Sequence, residues 1–283
     1  MPQAVPALVS PAWLHAHLSA PDVRLIDASW AMPTSGRMCR AEYEAAHLPG
    51  AVFFDIDQVA APAAPKPHTA PSPEIFAKAC RALGLGNGQH LVIYDRSGGA
   101  LAAARVWWMF RLFGHHEVSV LDGGLEAWQA LGLPVDDRPV SPSERPFTAR
   151  LDHTLVRDVR QVLAASRSAQ EQIVDARSQE RFQALVPEPW NSPRGGHIPG
   201  SLNLPHTLLM TGPHGGFAPP EVLRAVFTEA GVDLTRPLIA SCGTGVTACV
   251  LALGAWLVGK KDVAVYDGSW FEWSRDAGLP VQP

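Results

Sequence analysis

The segment best suited to chemistry in this 283-residue chain is Ser241-Cys242-Gly243-Thr244-Gly245-Val246-Thr247, which sets one thiol between an apolar strand and an apolar helix. Leu238-Ile239-Ala240 runs straight into it, and Thr247 to Val258 reads as the helix that follows. Gly243 and Gly245 let the backbone curl tightly and turn successive N–H groups inward. The helix start adds unpaired N–H groups and the positive end of its dipole. A thiol held there is pushed towards thiolate. A free thiol near pKa ~8.5 is only a few per cent ionised at neutral pH, whereas cysteines at helix N-termini or beside cations reach ~3.5–7.5. The amides of Gly243, Gly245, Val246 and Thr247 would also cradle a terminal sulfur anion bonded to Cys242.

A cysteine at an arbitrary position is more often a small packing group than a nucleophile. Strand-end placement between glycines reverses that for Cys242. Cys249, inside the apolar helix, reads as core. With Cys39 and Cys80 they make four cysteines with no C-x-x-C pair, too sparse for a disulfide scaffold.

The elements that must position the loop occur twice. Leu25-Ile26-Asp27-Ala28 recurs as Ile173-Val174-Asp175-Ala176, and Ala46-His47-Leu48-Pro49-Gly50-Ala51 as Gly196-His197-Ile198-Pro199-Gly200-Ser201. Leu121-Asp122-Gly123 recurs as Tyr266-Asp267-Gly268, and Gly132-Leu133-Pro134-Val135 as Gly278-Leu279-Pro280-Val281. All four pairs lie 145 to 150 residues apart and in order, so the chain reads as two fused copies of one domain. The expected division is an N-terminal domain over 1–137, a Pro- and charge-rich linker over 138–155, and a C-terminal domain over 156–283. Strand-like segments at Val23 to Ala28, Leu91 to Tyr94 and Val118 to Leu121 alternate with helix-like ones. Among the latter, Ser72-Pro73-Glu74 opens a helix with a cap, a first-turn proline and a dipole-matched acid. The fold class is α/β, each copy a mainly parallel sheet flanked by helices. An irregular stretch, Gln58 to Thr69, interrupts the first copy with Pro62, Pro65 and Pro67, and loops of that length are often functional.

Composition narrows the partners. A 47% hydrophobic, 18% charged chain is globular, and a net charge of −4 without a basic run argues against nucleic acid or an anionic membrane. The apolar stretch Cys249 to Val258 is far short of the ~20 residues of a membrane helix. No secretory signal is readable at the start. No zinc-like Cys/His cluster appears, and no metal or organic cofactor is implied. A soluble protein of the cytoplasm, or of the mitochondrial matrix in a eukaryotic cell, is expected.

In the first copy the corresponding turn is Tyr94-Asp95-Arg96-Ser97-Gly98-Gly99, with Asp95 in the place of Cys242. A carboxylate cannot take up a sulfur atom as a persulfide, so that copy should be inert; Asp95 would pair with Arg96 or a linker residue.

Taken together, the residues resemble a tandem-domain rhodanese over nearly the whole chain, and the loop Cys242 to Thr247 is similar to that of the 3-mercaptopyruvate sulfurtransferases. Asp27-Ala28-Ser29-Trp30, Phe53-Phe54-Asp55-Ile56-Asp57, Val106-Trp107-Trp108-Met109-Phe110, Phe113-Gly114-His115-His116 and Asp267-Gly268-Ser269-Trp270 carry the likeness further. The resemblance implies a ping-pong reaction. Cys242 takes sulfur from 3-mercaptopyruvate as a persulfide, pyruvate leaves, and a thiol, thioredoxin, glutathione or cyanide accepts the sulfur. It places the catalytic cysteine on Cys242 and the hydroxyl of a proton relay on Thr244, a threonine where a serine is usual. It places the relay histidine on His68 and the aspartate on Asp57, with the Pro-rich loop reaching across the domain interface. Arg181 falls on the first of two arginines that hold the substrate carboxylate. The second normally follows Pro-Glu-Pro, but Pro187-Glu188-Pro189 is followed here by Trp190, and Arg194 is the candidate replacement. Thiosulfate-using members carry a cation directly after the cysteine. Gly243 and Thr244 are uncharged, which favours mercaptopyruvate over the alternative of a thiosulfate:cyanide sulfurtransferase.

Two readings from other classes are weaker. Cysteine phosphatases of related fold end a longer loop in a phosphate-gripping arginine, but six residues after Cys242 stands Ala248. A binding module without catalysis suits the Asp95 copy better than the intact Cys242 loop. The expected result with p-nitrophenyl phosphate is no turnover above buffer, and measurable release of nitrophenol would restore the phosphatase reading.

Overall fold

The structure, a computed structural model, describes residues 5–62, 64–97 and 101–283; Gly98 and Gly99 of the first copy's turn lie outside them. The chain divides into two units, one made of Met1–Pro62, Ala70–Leu151 and Gly212–Phe217, the other of Ala63–Thr69, Asp152–Thr211 and Ala218–Pro283.

The first unit contains β1 (Leu8–Val9), α1 (Pro11–His17), β2 (Val23–Asp27), α2 (Cys39–Ala45), β3 (Val52–Phe53), α3 (Pro73–Ala82), β4 (His90–Tyr94), α4 (Leu101–Leu112), β5 (Val118–Leu121) and α5 (Gly124–Ala130). The second contains β6 (Val156–Arg157), α6 (Val159–Ser168), β7 (Gln172–Asp175), α7 (Gln179–Phe182), β8 (Leu202–Asn203), α8 (Pro220–Glu229), β9 (Leu238–Ser241), α9 (Ala248–Leu257), β10 (Ala264–Tyr266) and α10 (Ser269–Trp273). Each unit has a five-stranded sheet, in the order β1-β5-β4-β2-β3 and β6-β10-β9-β7-β8. Every strand pair is parallel. The duplication read from sequence is therefore a duplication of topology.

Local chemistry explains the elements. Ser72 caps α3 by accepting the Ile75 N–H, with Pro73 at the first position and Glu74 in the first turn. Asp158 and Gln161 form a reciprocal capping box at the start of α6. β7 and β9 are buried on both faces, as central strands of a parallel sheet must be. Each buried Ile or Val there stabilises by about 1.5–3 kcal/mol relative to exposure. Helix α9 is buried from Ala248 to Ala255, which fixes its start, and hence the end of the Cys242 loop, against the sheet. Cys249 is fully buried inside it, a packing residue as expected. Among the described residues no helix is long and apolar enough to cross a membrane.

One tryptophan closes each copy. Trp128 Nε1 donates to Pro134 O at 2.8 Å and Trp273 Nε1 to Pro280 O at 2.8 Å, both side chains fully buried. Trp273→Ala should therefore empty a core site and lose that anchor. The expected cost is about 3–5 kcal/mol of stability, read as a lowered denaturant midpoint by circular dichroism.

Candidate active site

Strand β9 pairs with β7 as far as Ser241 opposite Asp175, and Cys242 is the next residue, at the carboxyl edge of the sheet. Its side chain is 1% exposed. The loop turns through Gly245 at φ +86°, a conformation that L side chains rarely adopt. That turn brings the Gly245 N–H to 3.1 Å from Cys242 Sγ.

The loop carbonyls are all fastened on the other side. Those of Cys242 and Gly243 accept the Trp270 and Phe271 amides at 2.9 Å each, from the start of α10. That of Thr244 accepts Lys66 Nζ at 2.9 Å. Those of Gly245, Val246 and Thr247 accept Cys249 Sγ, Cys249 N and Val250 N at 3.3, 3.1 and 3.1 Å. The Cys242 N–H donates to Ser269 Oγ, and Gly243, Thr244, Val246 and Thr247 have no protein acceptor for their amides among the described residues. Buried N–H groups without acceptors are rare. In the loop that carries the thiol, such open donors suit an incoming anion.

Ser269 holds the Cys242 amide and was not singled out from sequence, although it stands in the quoted Asp267-Gly268-Ser269-Trp270. Its hydroxyl donates to Tyr266 O at 2.8 Å and accepts from the Cys242 N–H at 3.2 Å, while its 4.0 Å approach to Sγ is too long to count as a bond.

Arg181, on α7, lies directly against the loop. A Cβ on Gly243 would fall 2.8 Å from its Nη2, so a side chain there would have to displace the guanidinium. The guanidinium is aimed by Glu188, the acid of Pro187-Glu188-Pro189, through Nε–Oε1 and Nη2–Oε2 contacts of 3.1 and 2.6 Å. Glu188 is 2% exposed and also accepts Arg177 Nη1 at 2.8 Å, and Arg177 in turn grips Asp175 at the end of β7. Arg181 remains 27% exposed and keeps donors for a ligand. Burial holds the nearby His206 imidazole below its ordinary range despite its contact with Ala176 O, and the Arg181 charge pushes the same way.

Arg194 is not delivered to this group. Its Nε binds Ser274 O, its Nη1 Leu279 O, and its Nη2 both Trp273 O and Asp276 O, at 2.5 to 2.9 Å. It caps the C-terminal end of α10 and the turn beyond, and those four carbonyls use its donors. The expectation that Arg194 replaces the second carboxylate-binding arginine is corrected accordingly. Trp190, where that arginine was expected, adopts φ +66°; its ring stands edge-on to His68 at 5.9 Å between centroids.

His68 is 3% exposed and belongs, with Lys66, to the Ala63–Thr69 segment of the second unit. Thr244 is buried in the loop two residues after the thiol. Asp57 belongs to the first unit, where its Oδ2 accepts Trp30 Nε1 at 2.9 Å. In that unit, Asp95 does not pair with Arg96 or the linker, as the sequence suggested. Its buried carboxylate accepts from Ser97 N, Ser97 Oγ and Ala103 N at 3.1, 2.6 and 2.9 Å, and burial raises its pKa. Arg96 pairs instead with Asp27, at 3.3 Å.

A thiol at a sheet edge, met by the Gly245 amide and with the Arg181 guanidinium against its loop, is an arrangement suited to thiol chemistry on an anionic substrate. The rhodanese-like domain family matches residues 10–131 and 158–276, and the chain belongs to that family. It is 46% identical over 277 residues to human 3-mercaptopyruvate sulfurtransferase, covering 96% of this chain and 93% of that protein. It is 46% identical over 278 residues to bovine thiosulfate sulfurtransferase, with the same coverages. The crystal structure of the 3-mercaptopyruvate sulfotransferase SseA from Escherichia coli superposes with a TM-score of 0.86 at 40% identity, covering 94% of this chain and 99% of that one.

Gly245→Ala tests the cradle. A methyl at that φ should cost about 1–3 kcal/mol of backbone strain and turn the amide off the sulfur. Cys242 alkylation by iodoacetamide at neutral pH should slow while the protein still folds; an unchanged rate would contradict the role given to this amide.

Proposed function

We propose that this chain is a sulfurtransferase that takes sulfur from 3-mercaptopyruvate onto Cys242 and hands it to a thiol or to cyanide. The observation that carries the reading is the Gly245 N–H directed onto Sγ at 3.1 Å in a loop whose carbonyls are all engaged by other residues. Such a site suits an anion one atom further out, the terminal sulfur of a persulfide.

The first half-reaction balances without an external oxidant. The Cys242 thiolate attacks the sulfur of the 3-mercaptopyruvate thiol, an S–S bond forms and the C–S bond breaks. The bonding pair leaves on carbon as the enolate of pyruvate. The proton carried by the substrate thiol ends on that carbon, giving pyruvate and Cys242–S–S⁻. In the second half, cyanide or a thiolate attacks the outer sulfur, leaving as thiocyanate or a new persulfide and restoring the Cys242 thiolate. Thioredoxin and glutathione are suitable acceptors, and the setting is a thiol-rich compartment, the cytoplasm or the mitochondrial matrix.

The enolate stage needs charge stabilisation and a proton. Arg181, aimed by Glu188, binds the substrate carboxylate in this reading, and the amides of Gly243, Gly245, Val246 and Thr247 hold the transferred sulfur. The Thr244 hydroxyl and His68 serve the proton relay, with Asp57 its expected third member. Trp190 leaves Arg181 as the one guanidinium of the expected pair, so carboxylate binding depends on it heavily. The uncharged Gly243 and Thr244 favour a monoanionic thiol donor over dianionic thiosulfate, a choice that equal identity to both kinds of relative does not make.

Assays with cyanide as acceptor test this directly. The parent protein should show a clearly higher kcat/KM for 3-mercaptopyruvate than for thiosulfate, and Cys242→Ser should abolish both pyruvate and thiocyanate formation. A preference for thiosulfate would overturn the donor assignment; turnover by Cys242→Ser would overturn the carrier. Arg181→Lys, which loses the planar fork, should raise KM for 3-mercaptopyruvate by roughly tenfold, about 1.4 kcal/mol.

A further inference from the structure

We infer that Lys66 is a positioning residue for Cys242: it fastens the Thr244 carbonyl so that the Gly245 N–H in the same peptide plane is aimed at the sulfur. The inference rests on the reading of Cys242 as sulfur carrier.

The peptide unit is rigid and planar, with its C=O and N–H pointing in opposite directions when trans, and no cis bond occurs among the described residues. The carbonyl of Thr244 and the amide of Gly245 are the two ends of one such unit. One end meets Lys66 Nζ at 2.9 Å, and the other meets Cys242 Sγ at 3.1 Å. Fixing the first end fixes the second. A cation on the oxygen also polarises the unit, which strengthens the N–H as a donor.

Among the loop carbonyls, Thr244's is held by a side chain from outside the elements that flank the loop. Those of Cys242 and Gly243 are held by the start of α10, and those from Gly245 to Thr247 by residues of α9. Without Lys66, the peptide unit that faces the sulfur has no anchor of that kind.

Lys66 is built for the position. It is 6% exposed, and its ammonium meets Pro67 O at 3.1 Å and the Asp267 carboxylate at 3.6 Å besides Thr244 O. Lysines this buried are found paired, and Asp267, immediately after β10, supplies the partner. Pro65 and Pro67 restrict the backbone on both sides of Lys66, and Thr69 Oγ1 donates to Lys66 O at 2.8 Å. Lys66 and Asp267 also line a cavity of about 870 Å³ in the catalytic unit, which gives a substituted side chain room without overpacking.

The test is the pH profile of Cys242 alkylation by iodoacetamide, followed on its peptide by mass spectrometry, in the parent protein, Lys66→Met and Lys66→Arg. Lys66→Met should raise the profile midpoint by about half a pH unit or more, roughly threefold less thiolate at a given pH on the rising limb. Lys66→Arg, which keeps the charge and the donors, should recover most of the shift. If Lys66→Met melts because the Asp267 carboxylate loses this cation, Lys66→Met/Asp267→Asn replaces it with the same expectation. A Lys66→Met profile that overlays the parent, or a Lys66→Arg profile displaced as far as Lys66→Met, overturns the inference. A parent protein whose Cys242 cannot be alkylated at any pH sinks the carrier reading and the inference with it.

Discussion

A backbone turned inside out is what the rest of this structure serves. Between Cys242 and Thr247 every carbonyl is engaged by another residue, and the Gly245 amide meets the thiol. Peptide dipoles cost little to hold once their oxygens are fastened, and they then stabilise an anion without themselves needing to ionise. The fastening comes from three places: the first turn of α9 just after the loop, the start of α10, and the Lys66 segment far earlier in the chain. Strand β9 delivers the thiol to the sheet edge, and the burial of α9 sets where the loop must end.

The two copies show what a single side chain decides. Both units share strand order and parallel register, and both place a polar residue at the same strand end. In the second copy that residue is a thiol whose neighbouring amides remain open. In the first it is Asp95, whose carboxylate accepts amides from its own turn and from Ala103. The scaffold accommodates a carboxylate there because amides of its own turn and of Ala103 satisfy it, and a carboxylate cannot form a persulfide. Around the working copy, Asp175, Arg177, Glu188 and Arg181 form a chain of alternating charges from the end of β7 to the edge of the Cys242 loop. Its buried members are paired on both sides, which keeps the last guanidinium in one orientation.

Much of this was legible in the residues because it is local. The α3 cap needs only Ser72-Pro73-Glu74, and the loop needs only a cysteine between glycines at a strand end. What failed to show in the sequence is long-range or too short to have a pattern. The two-residue strands β1, β3, β6 and β8 carry no periodicity. Arg194 read as a ligand-binding arginine because a loop guanidinium looks the same in sequence whether it binds a substrate or caps carbonyls about 80 residues away, and the structure shows the second. Lys66 was invisible for the same reason: its partner carbonyl is 178 residues further along the chain. Ser269 lay inside a motif quoted for likeness alone, and its bond to the Cys242 amide appears only once β10 lies beside β9.

Mass spectrometry of the intact protein and its peptides after brief exposure to 3-mercaptopyruvate, without any acceptor, reads the central claim at the atom concerned. The account predicts a gain of ~32 Da, one sulfur, confined to the peptide containing Cys242 and removed by cyanide. A gain on the Cys39 peptide instead, or none on Cys242 while pyruvate is released, would contradict it.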